Sequence, residues 1–240
     1  MRKADDYVDT IPQKTAEFYR FINDYRNALD GQSSGNEIID AFVELVQRRR
    51  LEPAWADAFL WSMESDLTKS TYHTIEGLKK YLYGSAEVVG LMMAKILNLP
   101  AESYSAARYL GRSMQYINFI RDIQEDIDLG RTYLPKAEQQ AYGLESLRYE
   151  HVVKHPAAFE DFIHFQIQRY RSWQRNAERG FRHIPRRLLI PIKTASDMYK
   201  WTAQRIDRNP YVVYHRKIKP SIPRIVLNVT YNLLALPSAS

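Results

Sequence analysis

The chain has 240 residues, no cysteine, a formal net charge of +6, and 45% hydrophobic with 12% aromatic residues. That is enough apolar material for one large domain, while the missing thiols exclude a disulfide framework, a zinc ribbon and a cysteine nucleophile. The positive balance asks for an anionic partner; no nucleic-acid module is present and the basic residues are scattered, which leaves a phosphorylated substrate or a membrane surface.

In chain order, Asp5 and Asp9 stand one helical turn apart ahead of the breaker Pro12. Neither a secretory signal in the opening Met1-Arg2-Lys3-Ala4-Asp5-Asp6 nor a bilayer-length apolar stretch is found, so a cytoplasmic protein is expected. Phe18, Phe21, Ile22 and Tyr25 mark a helix from Thr15 to Leu29, ended by Asp30-Gly31; after a polar loop, Ile38, Ile39, Phe42, Leu45 and Val46 mark the next. Pro53 opens a third helix, to about Lys69. The run Ile75–Leu97 is poor in charge but holds Gly77, Gly84 and Gly90, each costing a helix interior about 1 kcal/mol relative to Ala; kinks or close approach of another backbone are the expected reasons. Leu99-Pro100 separates it from the helix that follows.

That next helix carries the chain's densest pattern. No Gly or Pro interrupts Gln115 to Ile127, and Gly130 and Pro135 predict an end near Leu129. Gln115, Asn118, Asp122 and Asp126, spaced 3, 4 and 4 apart, form one row of amides and carboxylates, with Tyr116, Ile120, Ile123 and Ile127 as the opposite, apolar row. Alone, the polar row is as well read as a solvated face. The second pair, Asp5 and Asp9, favours a site in which facing helices hold hard divalent cations through oxygen ligands, with a diphosphate as the bridging anion.

Farther on, Lys136 to Gly143 is expected to be irregular, Pro156 to open a long helix to Gly180, and Pro185 another to about Asp207. His151 and His155 read as loop or helix-end residues, since the zinc-binding pattern's glutamate is absent. The segment Pro220–Ser240, apolar and preceded by Arg216, Lys217 and Lys219, lies on a membrane surface or packs on the body; sequence leaves both open. With at least six helical stretches and no strand pattern, the fold class is all-α in one domain.

These motifs resemble the squalene and phytoene synthases. Arg2-Lys3-Ala4-Asp5-Asp6-Tyr7-Val8-Asp9 is similar to that family's first aspartate motif, Asn118 to Asp126 to its second, Tyr81 to Met92 to its Tyr-rich small-residue helix, and Arg131-Thr132-Tyr133-Leu134-Pro135 to the segment after the second motif. The wording is more like the prokaryotic phytoene branch. The resemblance implies an isoprenoid synthase helical bundle with the aspartates at one end of an apolar cavity. It implies head-to-head joining of two prenyl diphosphates, most simply two geranylgeranyl diphosphates to phytoene through a cyclopropylcarbinyl diphosphate. Asp5, Asp9, Asn118, Asp122 and Asp126 would hold Mg²⁺, with Mn²⁺ as an alternative, and Gln115 would border the reacting carbons. Arg2, Arg131 and Arg216 would neutralise diphosphate; Tyr81, Tyr133, Tyr199 and Asp66 would face the site, and Ser85 and Gly90 would admit a prenyl tail. NADPH is not expected, nor is nucleic acid; peripheral membrane contact is.

Three alternatives stand beside this reading: a squalene or dehydrosqualene synthase using farnesyl diphosphate, another all-α isoprenoid enzyme such as a chain-elongating prenyltransferase or terpene cyclase, and a non-catalytic relative acting in assembly. The intact aspartates weigh against the last. The family pattern also has a helical region ahead of the first motif, where this sequence has only Met1 to Ala4; a misassigned start or a truncated form would account for that.

Overall fold

The computed structural model describes residues 1–215 and 217–236. It is built of helices: α1 (Arg2–Asp9), α2 (Thr15–Leu29), α3 (Glu37–Arg49), α4 (Pro53–Thr68), α5 (Ile75–Leu82), α6 (Val88–Ile96), α7 (Tyr104–Arg121), α8 (Ile123–Asp128), α9 (Lys136–Ala141), α10 (Tyr149–Val152), α11 (Pro156–Glu178), α12 (Arg186–Arg208), α13 (Val212–His215) and α14 (Ile222–Ala235). Local signals set many of the ends. The Asn36 side chain accepts from the Ile38 amide at 3.1 Å and caps α3, Thr74 accepts from the Gly77 amide at 3.2 Å and caps α5, and Pro53 and Pro156 sit in first turns where no amide is needed. Among the described residues β-pairing is confined to one isolated parallel bridge, Thr71 to Thr132.

Two apolar clusters flank α7. One gathers Phe18, Ile22, Val43, Phe59 and Met92 from α2, α3, α4 and α6; the other gathers Tyr116, Ile120, Phe159, Phe162 and Tyr170 from α7 and α11. The predicted apolar row Tyr116, Ile120, Ile123 and Ile127 is buried in the second. Between α5 and α6, Tyr83–Glu87 forms one π-helical turn, the kink foreshadowed by the glycines. A Cβ on Gly84 would stand 2.0 Å from the Ala58 carbonyl oxygen, and one on Gly111 would stand 2.2 Å from that of Ala86, so the π turn is wedged against α4 and α7 backbone to backbone. Glu87 is fully buried there, accepting from Arg112 Nε at 2.6 Å and Arg108 Nε at 2.9 Å. A carboxylate so placed is tolerable only with cations beside it.

Two expectations need correction. The helix through the polar row is not continuous: Asp122, at φ −100° and ψ 19°, separates α7 from α8. Lys136–Ala141 is helical rather than irregular, because Pro135 starts it, the Lys136 and Ala137 amides bond to the Tyr72 and His73 carbonyls, and buried Gln139 donates to the Leu134 carbonyl at 2.8 Å. The stretch after Pro220 forms the fourteen-residue helix α14. No helix of the described residues is long and apolar enough to cross a membrane.

Candidate active site

The predicted carboxylates converge. One cavity of about 220 Å³ is lined by Asp5 and Asp9 of α1, Asp66 of α4, Tyr81 of α5, Gln115, Asn118 and Phe119 of α7, Asp122 at the break, Glu125 and Asp126 of α8, and Arg131 and Tyr133 of the following segment. The chain brings Arg131 and Tyr133 here through the Thr132 amide, which donates to the Ser70 carbonyl at 2.7 Å, and through the Arg131 amide, which donates to the Asp126 carbonyl at 2.7 Å.

Asp66 is nearly buried and accepts from the Tyr81 hydroxyl at 2.6 Å and the Tyr133 hydroxyl at 2.9 Å. Burial pushes its carboxyl up to about 6, against the pull of Tyr81, Arg131 and Tyr133. Arg131 donates to Asp9 at 2.9 Å and to the Val8 carbonyl at 2.7 Å, tying the segment after α8 to α1. The Tyr133 ring stacks on Phe119 with centroids 4.1 Å apart and on Tyr72 at 5.9 Å, so a packed aromatic stack borders the polar cavity.

The electrostatics are those of crowded anions. Burial, then Asp122, raises the Asp126 carboxyl to about 8; burial, then Asp9 and Asp6, raises that of Asp5 to about 6. Asn118 donates to Gln115 at 3.4 Å, yet its own Oδ1 is buried without a partner. An orphaned carbonyl oxygen among carboxylates is a donor set suited to a hard divalent cation, which takes one or two carboxylates and leaves other positions to water and phosphate oxygens. No three acidic or histidine side chains of the described residues lie close enough to hold an ion by themselves. Two carboxylates are meanwhile held by bases, Asp9 by Arg131 and Asp122 by Arg121 through a two-pronged contact of 2.7 and 2.6 Å. Sequence reasoning missed that second pairing: the polar row has no base, but Arg121 stands next to it in the chain.

An apolar cavity of about 400 Å³ lies beside α7, toward its N-terminal half, lined among others by Ala86, Gly90, Leu110, Met114, Phe181 and Ile192. Met114 adjoins Gln115 of the aspartate cavity in sequence, so α7 carries both.

Three predicted site residues, Arg2, Tyr199 and Ser85, lie outside both cavities. Arg2 is solvent-exposed with its Nε 4.0 Å from Asp6, although its spacing from Asp5 and Asp9 puts it on their side of α1. Tyr199 packs half-buried against the core shared by α7 and α11. Ser85 sits in the π turn with a buried, unpartnered hydroxyl, outside both cavities. Gly90 lines the apolar cavity, but a Cβ there would stand 2.2 Å from the Ala107 carbonyl oxygen, so its smallness also serves helix contact. Arg216 lies outside the described residues.

Comparison with known proteins gives the chain's relatives and its fold. The chain is 28% identical over 242 residues to the 15-cis-phytoene synthase of Synechocystis sp., covering 94% of this chain and 71% of that protein. It is 32% identical over 186 residues to phytoene synthase 1 of Zea mays, covering 74% of this chain but 43% of that one. A dehydrosqualene synthase solved with a ligand superposes with a TM-score of 0.81 at 22% identity, over 97% of this chain and 82% of that one. A squalene synthase from Alicyclobacillus acidocaldarius gives 0.73 at 22% identity, over 83% of this chain and 75% of that one. At such identities the solved structures establish the helical fold alone. The family model for squalene/phytoene synthase matches residues 1–225, both aspartate pairs included, and on that match the chain belongs to the squalene/phytoene synthase family.

Proposed function

We propose that this chain is a divalent-metal-dependent prenyltransferase that condenses two prenyl diphosphates head to head, taking two geranylgeranyl diphosphates to phytoene. The observation that carries the reading is the convergence of Asp5, Asp9, Asp66, Asp122 and Asp126 on one cavity, with an apolar cavity on the same helix α7. Relatives named as phytoene synthases support the choice of product.

In this reading Asp5, Asp9, Asp122, Asp126 and the orphaned Asn118 Oδ1 hold Mg²⁺ or Mn²⁺, which supplies positive charge to the departing diphosphate. Everything else falls to the chain. The allylic C–O bond breaks and diphosphate leaves with the electron pair; the second substrate's double bond attacks the cation, and loss of a proton leaves a cyclopropylcarbinyl diphosphate. A second ionisation, rearrangement and proton loss give the hydrocarbon, so two diphosphates and two protons are released and no reductant is consumed. Phe119 and Tyr133 line the cavity as a stacked aromatic wall that helps keep water from a carbocation. Both Tyr81 and Tyr133 donate their hydroxyl hydrogens to Asp66, which fixes the orientation of the two rings at the cavity wall. The apolar cavity takes a prenyl tail and excludes water. Tails and product are lipids, so the enzyme exchanges them with a membrane surface.

The test is release of inorganic diphosphate from geranylgeranyl diphosphate with Mg²⁺. Release of two diphosphates per hydrocarbon by the natural chain, and none by Asp122→Asn, is expected; release unaffected by that substitution refutes the site.

A further inference from the structure

Behind the aspartate cavity, on the far side of α7, four polar side chains form a closed network that the reaction does not touch. Tyr116 and Gln166 are fully buried, and the Tyr116 hydroxyl donates to Gln166 Oε1. Burial pushes the pKa of that hydroxyl up, so it keeps its proton. Arg169 Nη1 donates to the Tyr116 hydroxyl oxygen at 2.8 Å, to Gln166 Oε1 at 3.0 Å and to Glu138 Oε2 at 2.8 Å, while its Nη2 donates to Glu138 Oε1 at 2.6 Å. Gln166 Nε2 closes the ring by donating to Glu138 Oε2 at 3.0 Å. None of the four side chains lines either cavity.

A pair of charges taken out of water adds little net stability, because desolvating both offsets their attraction. What it supplies is fixed geometry, and here the geometry joins the two elements that carry the site. Tyr116 stands two residues from Asn118 and nearly opposite it on α7, so a hydroxyl pinned from behind sets which way Gln115, Asn118 and Asp122 face. Glu138 belongs to α9, which begins directly after the segment Arg131–Pro135, and its neighbour Gln139 donates to the Leu134 carbonyl at 2.8 Å. Arg169 and Gln166, both on α11, therefore hold α7 and the Arg131–Tyr133 segment against one common support.

We propose that Arg169, together with Gln166 and Glu138, is a positioning residue for the aspartate cavity, fixing the rotation of α7 through the Tyr116 hydroxyl and the place of Arg131 and Tyr133 through α9. The inference rests on reading that cavity as a metal and diphosphate site. The planar fork of Arg169 is what the task requires, since a lysine ammonium cannot grip Glu138 with two prongs and reach Tyr116 at once.

The experiment compares the natural chain with Arg169→Lys, with Tyr116→Phe, which removes one hydroxyl and leaves Arg169 paired to Glu138, and with Val43→Ala, a core truncation on α3, which gives no residue to either cavity. Each protein is followed by circular dichroism, by the rise in melting temperature that Mg²⁺ with inorganic diphosphate produces, and by diphosphate release from geranylgeranyl diphosphate across a Mg²⁺ series. In Arg169→Lys, at natural helix content, the ligand-induced rise should shrink by about half or more, the Mg²⁺ concentration for half-maximal rate should climb about fivefold or more, and kcat should fall about tenfold or more. Tyr116→Phe should move the same three quantities in the same direction by less, and Val43→Ala should lower the melting temperature while moving none of them. Natural values in a folded Arg169→Lys overturn the proposal, as do equal losses in Val43→Ala, which would assign them to general loosening of the fold. If Arg169→Lys does not fold, Tyr116→Phe decides by the same measures, and natural values there overturn the proposal. A ligand-induced rise that shrinks in Arg169→Lys while no chain turns over a prenyl diphosphate leaves the positioning role standing and sinks the enzymatic reading; no rise in the natural chain overturns both.

Discussion

Asp126→Asn should stabilise the metal-free protein while abolishing its activity. In the folded chain Asp126 is raised from 3.8 to about 8, by burial first and by Asp122 second. The folded state thus holds the proton more tightly than the unfolded chain, so the associated stability is present below about pH 4 and lost as pH rises through about 8. Each unit is worth about 1.4 kcal/mol, and discounting roughly half of a four-unit shift for water in the open cavity leaves on the order of 3 kcal/mol opposing the fold at pH 8.5. Asparagine has the same shape and no charge to desolvate. Its melting temperature, followed by circular dichroism at 222 nm in EDTA, should exceed the natural chain's by roughly 6–12 °C at pH 8.5 and by less at pH 5. Mg²⁺ with diphosphate should narrow or reverse the gap, because cations relieve the carboxylates of the natural chain and find one ligand fewer in the variant. A variant that melts below the natural chain at pH 8.5 without metal would refute the argument that Asp126 is held in an anionic site awaiting a cation.

Asp5→Asn should lose product formation with helix content nearly unchanged, since it removes a ligand and opens no core cavity; full turnover by this variant in a product assay would remove Asp5 from the site. Inorganic diphosphate and Mg²⁺ together should raise the melting temperature by more than the sum of their separate effects, and strictly additive shifts in differential scanning fluorimetry would argue against shared binding. Gly84→Ala forces a methyl to within 2.0 Å of the Ala58 carbonyl oxygen and should cost about 3 kcal/mol or more in urea denaturation, because the clash is with backbone; a loss under about 1 kcal/mol would mean the π turn can move off α4.

How much of this was legible depended on whether the signal was periodic or tertiary. The long helices were readable because their apolar positions recur with the helix period and Pro53, Pro156 and Asn209-Pro210 mark their limits. The row Gln115, Asn118, Asp122 and Asp126 was readable too, and all four line the cavity. The break at Asp122 was not, because no Gly or Pro marks it. Asp66 carries no local mark of function: it is acidic and near a helix end, and only the approach of Tyr81 and Tyr133 from distant segments gives it a place. Glu87 left a signal that went unread, a lone carboxylate in an apolar run with Arg108 and Arg112 one turn apart on a later helix to receive it. The orientation of α14 could not be read at all, since its two faces differ in which side meets α12, and the sequence holds only the alternation.

The central claim is best tested by mass analysis of the hydrocarbon made with Mg²⁺ when farnesyl and geranylgeranyl diphosphates are offered separately and together, with and without NADPH. The account predicts a C40 hydrocarbon, phytoene, from geranylgeranyl diphosphate, with neither rate nor product changed by NADPH; a C30 hydrocarbon from farnesyl diphosphate, made only when NADPH is present, would contradict it.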